Sequence, residues 1–399
     1  MAAGGFRALP RTIWLLGFTS LFMDASSELV HSLLPLFLVA GLGASMTTVG
    51  LIDGVAEATA SITKIFSGAL SDWLGHRKWL AVFGYGLSAV TKPLFPLAGG
   101  AAAVLVARFF DRLGKGIRGA PRDALVADVT PPAVRGAAYG LRQGLDTVGA
   151  VIGPLLAAML MWLFVDDFRL VFWVACFPAV IAVSILAVGV DEPKIAPAER
   201  RRFPLHASEL ARLGLRFWVF IGVITVLLLP RFSEAFMLLR GQALGLAEAH
   251  VPLIMALMNL VAAALSAPAG RLSDSIGRRG LVVIGFAALV LAQGALWAAA
   301  TPLLVFLGAS LWGVHLGVTQ GVLSALVADL APADLRGTAF GVFHLMSGLA
   351  ILIGSSAAGW VWDAAGAGTM FALAAAVSLL GLVAFLALPA DHIRRTGTD

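Results

Sequence analysis

From its amino terminus the chain is a succession of apolar runs, each of about 20 residues or more, separated by short polar turns. The runs are continuous and rich in Leu, Ala and Gly. They lack the period-two alternation of barrel strands, so they predict membrane-crossing helices and not a β-barrel. Helices are expected at 12–40, 46–71, 78–97, 101–127, 134–163, 168–190, 214–240, 249–273, 280–300, 303–329, 335–362 and 367–389. The expected fold class is an all-α membrane protein with 12 transmembrane helices. The longest polar stretch, DEPKIAPAERRRFPLHASEL at 191–210, holds three prolines and the triplet Arg200-Arg201-Arg202, the composition of a tether. It divides the chain into an amino-terminal six-helix bundle at 1–190, a linker at 191–213 and a carboxyl-terminal six-helix bundle with a short tail at 214–399.

The polar turns repeat. Residues 124–140, ALVADVTPPAVRGAAYG, recur at 325–341 as ALVADLAPADLRGTAFG, with ten identities in seventeen positions at an offset of 201. GALSDWLGHRKW at 68–79 recurs as GRLSDSIGRRGL at 270–281, at an offset of 202. Two motifs in one order at one spacing imply two similar halves. Six helices per half keep both in the same orientation, a parallel repeat about an axis along the membrane normal.

Composition agrees: of 399 residues, 59% are hydrophobic and 13% charged, where soluble proteins carry roughly 25% charge. The first apolar run contains Asp24 and Glu28 and lacks a small-residue cleavage site, so it reads as a retained helix and not a secretory signal. The net charge of +5 is not a nucleic-acid signal, because the basic residues fall in alternate turns. Arg7, Arg11, Arg77, Lys78, Arg118, Arg122, Arg135, Arg200 to Arg202, Arg278, Arg279, Arg336, Arg394 and Arg395 share one side, whereas the turns near 41–46, 98–101 and 300–302 carry no Lys or Arg. The positive-inside rule then makes both termini and the linker cytoplasmic. The single cysteine, Cys176, can form no intrachain disulfide.

The turn Gly68-Ala69-Leu70-Ser71-Asp72-Trp73-Leu74-Gly75-His76-Arg77-Lys78, with its second copy from Gly270 through Asp274 and Gly277 to Arg278 and Arg279, resembles the G-x-L-x-D-x-x-G-x-R-K signature of the major facilitator superfamily. The resemblance covers the whole chain and implies secondary active transport by alternating access. It makes Asp72, Arg77, Lys78, Asp274 and Arg278 gating residues that latch the cytoplasmic ends of the two halves. Gly149-Ala150-Val151-Ile152-Gly153-Pro154 is similar to the G-x-x-x-G-P motif of the superfamily's proton-linked exporters, which implies that Gly149, Gly153 and Pro154 flex the fifth helix. The downstream glycine pair of that pattern is Ala157-Ala158 here. Arg108, Asp111, Arg112 and Gly114 resemble the superfamily's fourth-helix motif, with Asp111 where many drug exporters carry a neutral polar group, and Arg112 is grouped with the gate. Asp24-Ala-Ser-Ser-Glu28 together with the run from Arg112 to Arg118 and Pro121-Arg122-Asp123 looks like a group of prokaryotic permeases, some named as nickel-resistance exporters.

An ionisable group at mid-bilayer costs on the order of 2.5–3.5 kcal/mol, so each one calls for a partner or an aqueous cavity. Asp24, Glu28 and His31 stand at i, i+4 and i+7 on one face of the first helix, and Asp53 and Glu57 at i, i+4 on the second. Clustered carboxylates of this kind suit proton coupling. Asp24 and Glu28 rank first as carriers, then Glu57 and Asp53, with His31 as relay or ligand. Lys64, Lys92, Arg108 and Arg112 are available as counter-ions, Lys64 is equally suited to snorkel, and Arg142 with Asp146 reads as an intrahelical pair. The second half lacks most of these charges: Ala309, Trp312, Phe343 and Ser347 occupy the positions of Arg108, Asp111, Arg142 and Asp146. Its deep charges are Arg231 and Glu234. Candidate substrate-wall residues are His31, Arg108, Asp111, Glu234, Met258, Asn259, Trp312, His315, Gln320 and His344.

These readings point to a proton-coupled exporter, an antiporter, of a small organic compound in the cytoplasmic membrane, acting as a monomer without a cofactor. An alternative of the same fold exports a divalent cation such as nickel, cobalt or iron, or a metal chelate, with His31, Asp24, Glu28 and His315 as ligands. Against it, the seven histidines are scattered. No nucleophile–base motif or phosphate loop suggests an enzyme.

Overall fold

The computed structural model describes residues 9–74, 76–131, 134–191, 207–332 and 335–389, and no side chain at 69, 72, 207–209, 271 or 273–276. The expected gate residues Asp72 and Asp274 therefore have side chains outside the described set, as do the tether at 192–206 and the basic residues Arg7, Arg394 and Arg395. The described residues are almost entirely helical. The helices are α1 (Arg11–Leu36), extended by a π turn at Phe37–Gly41, α2 (Met46–Leu74), α3 (Arg77–Thr91), α4 (Leu94–Leu97), α5 (Ala101–Val129), α6 (Arg135–Leu163), α7 (Phe168–Val174), α8 (Cys176–Gly189), α9 (Ala207–Arg212), α10 (Gly214–Leu228), α11 (Ala235–Ala243), α12 (Pro252–Trp297), α13 (Pro302–Leu330) and α14 (Arg336–Ala387).

Eight helical stretches among the described residues are long and apolar enough to cross a membrane. α2 and α5 are as long as α6, 29 residues each, but are interrupted by charge. Three expected helices are broken. The third stops at Lys92-Pro93 and the sixth at Ala175. The seventh unwinds between Leu228 and Ala235, where Pro230 has no amide hydrogen to continue the ladder. Conversely, the turns expected near 274–279 and 363–366 are sharp kinks, at Gly277 with φ 79° and at Gly366 with φ 82°. Only glycine adopts that backbone region without strain.

The chain forms two compact units, Met1–Leu42 with Thr59–Arg202, and Gly43–Ala58 with Phe203–Asp399. In the first, α1 packs along α6 at a distance that only glycine allows. A Cβ at Gly149 would lie 2.4 Å from the Leu21 carbonyl oxygen, and one at Gly153 would lie 2.7 Å from that of Ala25. The G-x-x-x-G-P segment is thus a backbone-to-backbone seam against the helix that carries Asp24. Gly149→Ala should destabilise the protein by about 1–3 kcal/mol through overpacking. Gly144→Ala on the same helix, where nothing lies within 4 Å, should be neutral or stabilising by up to about 1 kcal/mol. Thermal unfolding in detergent compares the two, and equal melting points would contradict the seam.

In the second unit, the start of α2 is held by a residue far along the chain. The Asp363 carboxylate accepts the backbone N–H of Met46 at 3.0 Å and of Thr47 at 2.8 Å, and the Thr47 hydroxyl at 2.6 Å. This caps the helix, since its first amides have no intrahelical acceptor. Asp363→Ala should lower stability by about 0.5–2 kcal/mol and Asp363→Asn by less, read as a shift in thermal midpoint.

Candidate functional site

Within the first unit the charges foreseen on α1 meet a row of cations on α5. Residues 108, 111, 112, 115, 118 and 122 fall at helical spacing, so α5 presents one continuous polar stripe. Four levels can be distinguished along it. At one level Lys92 Nζ donates to Asp111 Oδ1 at 3.0 Å and to the Ser27 hydroxyl at 3.0 Å, while Arg112 Nε stands 4.0 Å from Asp111 Oδ2. Lys92, Arg108, Asp111 and Arg112 are all buried. Beside them Glu28 faces His31, 3.5 Å from Nδ1.

At the next level Asp24, one-fifth exposed, lies 3.9 Å from Arg118 Nη2 and within electrostatic reach of Lys115 and Asp146. Arg118 is fixed independently: Nη1 donates to the Ser88 hydroxyl at 2.7 Å, and the guanidinium lies over the Tyr85 ring at 4.6 Å. Below it Arg122 Nη1 reaches the Ser20 hydroxyl at 3.2 Å and Asp146 at 3.6 Å. At the last level Arg142 spans Asp146 at 3.8 Å and Asp123 at 3.7 Å, with Tyr139 donating to the Asp123 carbonyl. The intrahelical pair expected between Arg142 and Asp146 is present, and Arg122 joins it.

Along and beside this stripe stand eight cations (Lys64, Lys92, Arg108, Arg112, Lys115, Arg118, Arg122 and Arg142) and five carboxylates (Asp24, Glu28, Asp111, Asp123 and Asp146). The other two candidate proton carriers stand in the second unit. Asp53 is buried and its Oδ2 accepts from the Ser233 hydroxyl at 2.6 Å, at the break between α10 and α11. Glu57 lies within electrostatic reach of Arg231 in the same break, as does Glu234. The Ser233 amide donates to Ser355, and the Pro230 carbonyl accepts from Gln293, which in turn accepts from Ser378.

Of the expected substrate-wall residues in this unit, Trp312 is buried against Phe232, 5.7 Å between ring centres. His315 is buried, its Nδ1 2.9 Å from the Gly285 carbonyl and its ring edge-on to Phe286. Met258 is buried, Asn259 half-buried and Gln320 exposed, and His344 contacts Phe340 and Phe343. Among the described residues no three His, Cys, Asp or Glu side chains come together as a metal site.

The gate arginines find partners inside their own units. Arg77 Nη1 bonds Asp128 at 2.7 Å across α3 and α5. Arg278 pairs with Asp329 and with the Ala325 carbonyl across α12 and α13. Asp128 and Asp329 belong to the longer repeat, which is the signal that could have named them. The motif offset of 202 aligns Arg77 with Arg279, yet its counterpart is Arg278, because each is the first residue of the helix that follows the turn. Lys78 lies over the Trp79 ring.

Asp123, Ser233, Gln293, Ser355 and Asp363 are not among the candidates expected from the sequence. Ser233, Gln293, Ser355 and Asp363 act through partners distant in the chain, which no local pattern marks. Asp123 pairs with the adjacent Arg122 as well as with Arg142, and the run Pro121-Arg122-Asp123 is the signal that could have named it.

A family model described as Major Facilitator Superfamily matches residues 16–239 and 232–398. An MFS-type transporter of Methanocaldococcus jannaschii is 30% identical over 368 residues, 89% of each chain. Multidrug resistance protein MdtH of Yersinia pestis is 31% identical over 176 residues, 44% of this chain and 42% of its own. Among solved structures, a point variant of the nucleoside transporter NupG shares the fold at a TM-score of 0.81, covering 94% of this chain and 99% of its own at 14% identity. The fold, the doubled turn with its doubled arginine–aspartate brace, and these matches place the chain in the Major Facilitator Superfamily of membrane transporters.

Proposed function

We propose that the protein is a proton-coupled exporter of a small organic compound. It resides in the cytoplasmic membrane with both termini inside, and works by alternating access of two six-helix halves, 1–190 and 214–399, joined by the linker at 191–213. The observation that carries this reading is Asp24. It is a carboxylate at mid-helix, partly open, with a cation at 3.9 Å and a second carboxylate, Asp146, beside it. Protonation of Asp24 cancels its attraction for Arg118, and Ser88 and Tyr85 keep the guanidinium in place while the proton comes and goes. Glu28, Asp53 and Glu57 serve as further proton sites. The α1–α6 seam at Gly149, Gly153 and Pro154 lets the proton site and its helix move as one body. The name of the Yersinia relative supports the outward direction.

In inverted vesicles with an acid lumen, a transported compound should dissipate the pH gradient when the protein is present. A variant with amides at Asp24, Glu28, Asp53 and Glu57 should not do so. Persistence of the response in that variant would refute proton coupling through these groups.

A further inference from the structure

Lys64 and Lys115 lie outside the ion-pair ladder. Both ammonium-bearing side chains are exposed, and neither makes a hydrogen bond or ion pair among the described residues. They are neighbours: the Lys64 stem packs 3.9 Å from where a Cβ on Gly119 would stand, and Gly119 is one turn from Lys115 on α5. Lys115 is 14 residues from either end of α5, about 21 Å along the axis. In a membrane-spanning helix, an exposed ammonium so far from either end calls for water within the protein and not for lipid.

The carboxylates of this region are already matched. Asp24, Asp123 and Asp146 are shared by Arg118, Arg122 and Arg142, three for three. With the two lysines included, five cations stand against these three carboxylates, although Asp123 lies within electrostatic reach of Lys64 and Asp24 and Asp146 within reach of Lys115. Counting Glu28, which faces Lys115 electrostatically but pairs with His31, still leaves an excess. Arg142, buried and within electrostatic reach of Lys64, faces Asp123 and Asp146 through Nε and Nη1 at 3.7 and 3.8 Å without a hydrogen bond at either nitrogen, so both keep a donor to offer.

The fold itself does not demand these cations. A Cβ on Gly116 would meet the Ala60 carbonyl just as one on Gly317 would meet that of Ala262, which fixes the register between the halves. In that register Ser266 and Leu316 occupy the positions of Lys64 and Lys115.

We infer that Lys64, Lys115 and Arg142 form a subsite for the negative charge of the cargo, so that the transported compound is an organic anion. The inference rests on the transport reading and names its substrate class. An anion leaving against an entering proton moves net charge, so an inside-negative membrane drives the exchange as well.

The full chain in phosphatidylcholine nanodiscs, titrated with carboxyfluorescein and with rhodamine 123, compares an anion and a cation built on the same ring system. Fluorescence anisotropy should show saturable binding of carboxyfluorescein, with rhodamine 123 weaker by at least about tenfold. Lys64→Gln with Lys115→Gln should weaken the anion by at least about tenfold, and Lys64→Arg with Lys115→Arg should retain it. The inference is overturned by preference for the cation, by absence of saturable anion binding, or by unchanged affinity in the glutamine pair. Loss of dye binding when phosphatidylglycerol enters the disc would also overturn it, by assigning the subsite to a lipid headgroup. No proton gradient is present, so failure here leaves proton coupling standing, and failure of the gradient assay leaves the anion subsite standing.

Discussion

Asp24→Asn should abolish transport driven by a pH gradient while leaving exchange of labelled for unlabelled compound within about threefold of the unaltered protein, a change of about 0.6 kcal/mol. The amide keeps the volume and the hydrogen-bonding outline of the carboxylate but neither binds nor releases a proton. Exchange needs only the substrate site and the conformational cycle, so it survives. Arg118 retains its bond to Ser88 and its stacking on Tyr85, and the amide can still donate to Asp146 beside it, so the local structure loses mainly the charge pairing at 3.9 Å. Asp146→Asn is the informative companion. Asp146 is held by Arg122 and Arg142, so its amide should weaken stability along with transport, whereas Asp24→Asn should weaken transport alone. Gradient-driven transport at normal rates in Asp24→Asn would remove this residue from the coupling path.

The largest loss of stability is expected at the buried pair of Lys92 and Asp111, where side chains 1% and 4% exposed meet at 3.0 Å. Taking out one member of a buried pair leaves the other charged and desolvated, which costs about 3–5 kcal/mol. The two members are not equivalent. Lys92→Met leaves Asp111 with Arg112, 4.0 Å away. Asp111→Asn leaves both cations facing a neutral amide, and it should be the more damaging. Lys92→Met combined with Asp111→Leu should recover part of the loss and not all of it, since Arg112 still lacks that carboxylate. Folded yield and thermal midpoint in detergent give the ordering. Equal damage from the two single changes would mean that Arg112 draws no support from Asp111.

Much of this architecture is written locally. The ends of α1, α2, α5, α6 and α13 fall close to where apolar runs begin and stop, because burying a peptide group in hydrocarbon requires an internally bonded helix whatever its neighbours are. The charged face of α1 is legible for the same reason: positions 24, 28 and 31 share a face by helical geometry alone. The break between α10 and α11 was less visible. Pro230 in the interior of an apolar run marks a defect, but Pro154 and Pro268 sit within continuous helix. What distinguishes Pro230 is that Gln293, Ser355 and Asp53 receive the backbone and side-chain groups of the unwound segment.

By itself, then, the sequence determined a membrane protein of two like halves with its unusual charge gathered in the first, since hydropathy, repetition and the cost of burying charge all follow from the order of residues. Only the tertiary structure decided the partners: Asp111 for Lys92, Asp128 and Asp329 for the gate arginines, Asp363 for the start of α2. Each pairing depends on how two helices are rotated and shifted against each other. An apolar helix offers lipid and protein nearly the same surface all round, so no hydrophobic period fixes that rotation. Close packing at glycine and the few polar contacts fix it instead.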